Sequence, residues 1–273
     1  MNPSPILYES HSHTPLCKHA QGEPGEYATA AWKRGLKGLI VTCHCPMPGG
    51  FSAHVRMAPE QFDTYVQMVK RTMEDFRGRV DVLLGMESDY LPGAEEWLRK
   101  LHARAEFHYI LGSVHPQIDE YRELYFTGDV VEFQRTYFTH LAQAAESGLF
   151  DCLSHPDLVK NESPEDWDLA ALMPHIRLCL DRIAATGIAM ELNTSGVLKA
   201  IQEMNPAPDI LREIHARKIP VVLGADAHIS SRVGDRYEEA LVLLQGIGFE
   251  SVSCFRERKR REIPIAQALA SLR

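Results

Sequence analysis

Two stretches decide the fold: ILYESHSH (6–13) and IPVVLGADAH (219–228). Each is an apolar run that closes on two metal-ligand residue types separated by one position. Five further runs are apolar on consecutive positions: KGLIVTCH (37–44), VDVLLGMESDY (80–90), HYILGSVH (108–115), FDCLSHPD (150–157) and IAMELNT (188–194). ESVSCF (250–255) is a weaker last one. Unbroken apolar runs of this length predict strands buried on both faces. Helical spacing fills the gaps, over Pro24–Arg34, Pro59–Phe76, Val130–Glu146, Asp168–Ala185, Ala207–Arg217 and Arg236–Gln245. Such alternation predicts parallel strands joined by helical crossovers.

The candidate ligands fall where the strands end. His11 and His13 close the first strand and His44 the second; Glu87 and Asp89 close the third, His115 the fourth and His155 the fifth; Asp226 and His228 close the seventh. A flat sheet would spread these ends along a row, whereas a β/α barrel gathers the C-terminal ends of its strands at one mouth. The expected fold is therefore one α/β domain over residues 1–273, a barrel with its site at the C-terminal ends of the strands. No low-complexity tract, linker or internal repeat divides the chain.

Side chains alternate faces along a strand, so His11 and His13 point to one side, and Asp226 and His228 are expected to do the same. Imidazole and carboxylate together suit zinc, iron or manganese. His19, in the loop TPLCKHAQGEP after the first pair, can be carried back over the mouth. In TCHC, an extended backbone turns Cys43 and Cys45 away from His44, which makes His44 the expected ligand of the three. His54, His102, His108, His140, His175 and His215 lack partners in the pattern and read as surface or packing residues.

A net charge of −8 argues against broad nucleic-acid binding. It leaves phosphate substrates open, because bound metals supply positive charge locally. No apolar run approaches membrane-spanning length, and MNPSPILYESHSH has neither the basic start nor the apolar core of a secretory signal. Six scattered cysteines give no disulfide framework, and a cytoplasmic location is expected. No Gly-rich phosphate loop and no G-x-S-x-G nucleophile elbow is present.

The motifs HSHTPLCKHA (11–20), TCHCPMP (42–48), GMESDY (85–90), GSVH (112–115), SHPDLVK (154–160), ELNTSG (191–196) and GADAH (224–228) resemble the PHP (polymerase and histidinol phosphatase) superfamily. Among its members they are most similar to the histidinol-phosphate phosphatase branch. The resemblance runs in order through nearly the whole chain. It implies a distorted (β/α)7 barrel and three divalent metal ions (Zn, Fe or Mn), held by His11, His13, His19, His44, Glu87, His115, His155, Asp226 and His228. The chain departs from the family's pattern at Cys43, which stands where Asp is usual, and at Leu198, near which relatives tend to carry Arg. Cys43 is expected to act behind the ligands rather than as one.

The reaction so implied is hydrolysis of a phosphate monoester, L-histidinol phosphate, to L-histidinol and phosphate, by attack of a metal-bridging hydroxide. Asp226 is a candidate proton carrier as well as a ligand. Arg56, Lys160 and Lys199 are candidates for substrate contact, and the loop 46–57 that holds Arg56 is a candidate lid. Two other readings use the same residues: a phosphodiesterase or nucleotide phosphatase of the superfamily, and a non-catalytic metal-binding module.

Overall fold

A computed structural model describes residues 4–272. Seven parallel strands form in chain order: β1 (Tyr8–Glu9), β2 (Gly38–Val41), β3 (Asp81–Asp89), β4 (Tyr109–Ser113), β5 (Cys152–Leu153), β6 (Ala189–Asn193) and β7 (Val221–Gly224). Each pairs with the next, and the helices α1 (Pro24–Lys33), α2 (Phe62–Asp75), α3 (Glu95–His102), α4 (Asp119–Tyr125), α5 (Val130–Glu146), α6 (Leu169–Thr186) and α7 (Pro208–Ala216) make the crossovers. The first and seventh strands meet just past their ends. His13 N donates to Ala227 O at 3.0 Å and Ala227 N to His11 O at 3.0 Å, around a parallel bridge between Ser12 and Ala227. The result is a distorted (β/α)7 barrel.

Helix ends follow local chemistry. The Asp129 carboxylate accepts from Glu132 N at the start of α5, and Asp168 accepts from Ala171 N at the start of α6. Gly187, at φ 74°, ends α6 in the left-handed conformation that glycine tolerates. The expected α5 span is the observed one, whereas α3 and α4 carried no expectation.

The weak last run becomes β8 (Ser251–Arg256). It follows α8 (Tyr237–Ile247), touches β7 at a single residue pair, and turns back as the antiparallel β9 (Lys259–Pro264), before α9 (Ile265–Ser271). The β8–β9 turn reaches across to β4, where Arg258 N donates to His108 O at 3.0 Å. Phe255 thereby stacks on Tyr109, with ring centroids 5.2 Å apart, and joins Ile40, Leu83, Cys152, Ala189 and Val222 in an apolar cluster at the N-terminal end of the barrel.

Alternation along each strand then carries the interior from apolar to polar. Ile40 leads to Thr42 and His44; Leu83 to Gly85, Glu87 and Asp89; Tyr109 to Leu111, Ser113 and His115; Ala189 to Glu191. One expectation fails here. The seventh strand does not run to His228: β7 stops at Gly224, and Asp226 lies at φ 48°. Asp226 and His228 therefore reach the mouth through a turn rather than through strand alternation.

Candidate metal centre

Glu87 stands at the centre of the mouth, buried at 1% exposure. Its Oε2 lies 2.8 Å from His44 Nδ1, 3.4 Å from His11 Nε2 and 3.6 Å from His13 Nε2. Its Oε1 lies 3.2 Å from His155 Nε2 and 3.4 Å from His115 Nε2, and accepts from Ser113 Oγ at 2.7 Å. One carboxylate thus separates two groups of imidazoles. Asp226 Oδ1 sits 3.1 Å from His13 Nε2, 3.6 Å from His11 Nε2 and 3.4 Å from His228 Nδ1. His19 folds back over the mouth, its Nε2 2.8 Å from His228 Nε2. All nine expected ligand residues therefore converge.

Several polar atoms in this cluster are buried without a hydrogen-bond partner: His11 Nε2, His13 Nδ1, His44 Nδ1 and Glu87 Oε2. Buried polar atoms are ordinarily paired, because an unpaired one costs about 1–3 kcal/mol. Ligand atoms of His11, His13 and Asp226 lie within 4.8 Å of one another, as do those of His44, Glu87 and His115, and those of His13, His44 and His228. Orphaned imidazole and carboxylate atoms in triads of this size fit divalent cations.

Burial works against charge on every member; at Glu87 the neighbours overcome it, whereas at His228 and His44 it prevails. The imidazoles of His44, His11 and His115 hold the Glu87 carboxyl well below its ordinary range despite that burial. Burial, with cationic pressure from His13, pushes His228 down to about 3, and burial pushes His44 down to about 4. Both shifts favour the neutral imidazole, the form that binds a metal.

A second layer aims the rings. Glu191 Oε1 takes His11 Nδ1 at 2.7 Å, while Glu191 Oε2 accepts from His155 N at 2.9 Å. Gly224 makes room for it, since a Cβ there would stand 1.9 Å from Glu191 Oε1. Asp89 Oδ1 takes His115 Nδ1 at 3.0 Å, the Cys17 carbonyl takes His19 Nδ1 at 2.7 Å, and Ser195 Oγ donates to Asp226 Oδ2 at 3.1 Å. His155 and Asp226 both have positive φ, at 26° and 48°. Backbone in that region costs about 1–3 kcal/mol per residue and persists where contacts over-determine it. Here Glu191 and the Tyr137 hydroxyl clamp the His155 backbone, and His13 and Ser195 clamp the Asp226 side chain.

Cys43 turns away from His44 toward the first loop, as an extended backbone requires. Thr14 Oγ1 donates to its sulfur at 3.1 Å, and the Cys43 and Cys17 sulfurs lie within 4.8 Å of each other and of a His13 ring nitrogen. Cys43 therefore backs His13 and the His19 loop rather than its neighbour His44.

The three candidate substrate contacts separate. Lys160 is corrected: it is fully buried, and its Nζ donates to Asp157 Oδ2 at 3.0 Å, Glu203 Oε1 at 3.1 Å and Met204 O at 3.1 Å. An ammonium has three protons to donate, and all three are taken. Arg56 borders the cavity but is also committed, to Asp89 Oδ2 at 2.6 Å, Ser52 Oγ at 2.5 Å and Cys45 O at 3.0 Å, so it steadies the carboxylate behind His115. The loop 46–57 is pinned as well, through Ser52 N to Glu120 Oε1 and Trp97 Nε1 to Pro46 O. Of the three, Lys199 lines the cavity and makes no side-chain hydrogen bond among the described residues.

The cavity above the cluster holds about 490 Å³, enough for a small organic phosphate. Its walls include Ser195, Leu198, Ile229 and Arg232, none of which was singled out as a contact from sequence, and His54, read as a surface or packing residue, stands at its rim. Glu191 was also missed, although the ELNTSG motif that contains it was recognised. It sits on a strand two residues before a loop, and sequence offers no sign that its side chain points inward. Among the described residues, no helix is long and apolar enough to cross a membrane.

A model of the PHP domain matches residues 9–195. A protein of Deinococcus radiodurans named probable histidinol-phosphatase is 40% identical over 93% of this chain and 98% of its own length. The histidinol-phosphatase of Bacillus subtilis is 25% identical over 85% of this chain and 97% of its own. Among solved structures, the histidinol phosphate phosphatase of Lactococcus lactis, complexed with zinc, L-histidinol and phosphate, superposes with a TM-score of 0.79 at 19% identity, covering 94% of this chain and 100% of its own.

Proposed function

The chain belongs to the PHP domain family, and from that premise we propose that it is a metal-dependent phosphatase that hydrolyses L-histidinol phosphate to L-histidinol and phosphate. The observation that carries the reading is the buried Glu87 carboxylate, whose two oxygens face two separate groups of imidazoles on the floor of a substrate-sized cavity. The relatives, histidinol-phosphatases by name and matched over nearly their whole length, supply the substrate.

The residues suit three divalent ions, Zn, Fe or Mn. His11, His13 and Asp226 would hold one, with Glu87 shared at the centre, and the remaining imidazoles of His19, His44, His115, His155 and His228 would hold the other two. Bound divalent cations supply Lewis acidity toward phosphoryl oxygens and a nucleophilic water at neutral pH. The chain's own contribution is positional. Glu191 and Asp89 fix the tautomers of His11 and His115 by accepting hydrogen bonds from their Nδ1–H groups, so that the Nε2 lone pairs face inward. Asp226, with 11% of its side chain exposed against 1% for Glu87, is the site carboxylate nearest the cavity. Despite burial, His11, His13 and His228 hold its carboxyl well below the ordinary range, so it stands as an ionised ligand with no proton to give the leaving alkoxide. Ser195 Oγ, which is 2.7 Å from Asn193 Oδ1, lies 3.1 Å from Asp226 Oδ2 and shares its one proton between the two. The six cysteines are free, as suits a cytoplasmic enzyme.

The test is one panel on metal-replete protein: histidinol phosphate, a nucleoside monophosphate and a chromogenic phosphodiester. Histidinol phosphate should be turned over with the highest kcat/KM. A higher value on the phosphodiester would move the chain to another activity of its family, and no turnover on any of the three would leave a metal-binding module.

A further inference from the structure

The cationic side of the cavity is built by two neighbouring strands. The segment after β6 brings Ser195, Leu198 and Lys199, and the segment after β7 brings Asp226, Ile229 and Arg232. Ser195 Oγ to Asp226 Oδ2 at 3.1 Å and Thr194 Oγ1 to Asp235 O at 2.8 Å tie the two segments together. Arg232 is the unusual member. Its side chain is only 15% exposed, and its Nε and Nη2 are buried without a hydrogen-bond partner. Asp235 Oδ2 stands 3.3 Å from Nη2, but the pair lacks hydrogen-bond geometry, and Asp235 is itself about one-third exposed.

A guanidinium so placed is under-satisfied. Its Nε and Nη2 have lost water and gained no hydrogen-bond acceptor, a state that costs free energy until an anion supplies one. Other well-buried cations of this chain do not share it: Arg56 has three acceptors and Lys160 has three. Arginine's planar fork matches two oxygens of a phosphoryl group at once. The apolar surfaces of Leu198, 65% exposed, and of Ile229 line the same wall and suit the uncharged part of a small substrate.

We infer that Arg232 is a phosphate-binding residue of this cavity, which Lys199 also lines: it swings from its loose contact with Asp235 to take the non-bridging oxygens of the substrate's phosphoryl group. The inference rests on the phosphomonoesterase reading, but its test also stands apart from turnover.

The experiment titrates metal-loaded protein with inorganic phosphate by calorimetry, alongside steady-state kinetics on histidinol phosphate, for wild type, Arg232→Met, Arg232→Lys and Asp235→Asn. Loss of a charge-assisted pair should weaken phosphate about tenfold or more in Arg232→Met and raise KM in parallel, with metal content unchanged. Arg232→Lys should recover part of the loss. Asp235→Asn, which removes the competing carboxylate, should bind phosphate as tightly as wild type or more tightly. The inference is overturned if Arg232→Met changes phosphate affinity less than twofold. It is equally overturned if Asp235→Asn weakens phosphate as much as Arg232→Met does, for Arg232 would then act through its pair. Should Arg232→Met fold poorly, Arg232→Lys and Asp235→Asn still decide, since a structural role predicts losses in both. If wild type binds phosphate but hydrolyses no histidinol phosphate, the substrate reading fails while Arg232 keeps its role.

Discussion

His11 and His13 leave the same strand end two residues apart and face the same pair of carboxylates, yet they are supported differently. Behind His11 stands Glu191, buried and bonded at 2.7 Å to its Nδ1. Behind His13 stands a fully buried thiol pair, Cys17 and Cys43, and His13 Nδ1 has no hydrogen-bond partner. The carboxylate side is rigid: Glu191 also holds the His155 backbone and Asn193, so three parts of the mouth share one anchor. The thiol side is softer, because a thiol is a weak donor and a weak acceptor. The difference teaches where this site is stiff and where it yields. It is stiff where β6 and β7 pack on the barrel interior, and it yields where the first loop folds over the mouth.

The largest test removes the rings themselves. His11→Ala and His13→Ala should each reduce turnover by more than the roughly 100-fold typical of losing an outer partner, with metal lost in proportion by elemental analysis. A His13 variant within tenfold of wild type and with full metal content would mean that the thiol-backed side holds no ion. Chelation should abolish turnover and added Mn, Zn or Fe should restore it; activity in metal-stripped protein would dissolve the comparison altogether.

The next effect is that of the anchors. Glu191→Gln keeps the shape but loses the charge that fixes the His11 tautomer, and a drop of about 10–100-fold in metal affinity or turnover is expected. Cys17→Ser should cost less, below about tenfold, because the support it removes is weaker. Equal losses in a side-by-side metal titration would show that the two supports are equivalent after all.

The smallest effect is expected at Cys43. Cys43→Asp places a carboxylate where Thr14 can donate to it and His13 lies close, so metal retention should improve by a few-fold while the melting temperature changes little. A large fall in melting temperature with no gain in metal would show an unpaired buried charge instead.

What could be read in advance follows the same division. The β/α alternation and the ligands at strand ends were legible because burial on both faces imposes an unbroken apolar run, and such a run points at whatever polar residue ends it. Glu191 was not legible, because a charged residue inside a strand gives no hint of its partner until the register is known. Lys160 misled for a related reason: a lysine after a motif resembles a substrate contact, and only the tertiary fold brings Glu203 and the Met204 carbonyl to it. The end of β7 misled through backbone conformation. Nothing in GADAH announces that Asp226 takes a positive φ.

The seam between His11 and Ala227 has a further consequence, for the time at which the site comes into being. Synthesis delivers His11, His13 and His19 first and Asp226 and His228 last, more than 200 residues later. An emerging chain can pair its early strands in order, but it cannot assemble the complete centre until Asp226 and His228 have left the ribosome and docked against the first strand. A metal ion spanning that junction would act as a clasp between an earlier and a later segment of the chain, and truncation just short of Asp226 would leave a protein with most of its barrel and no clasp to fasten it.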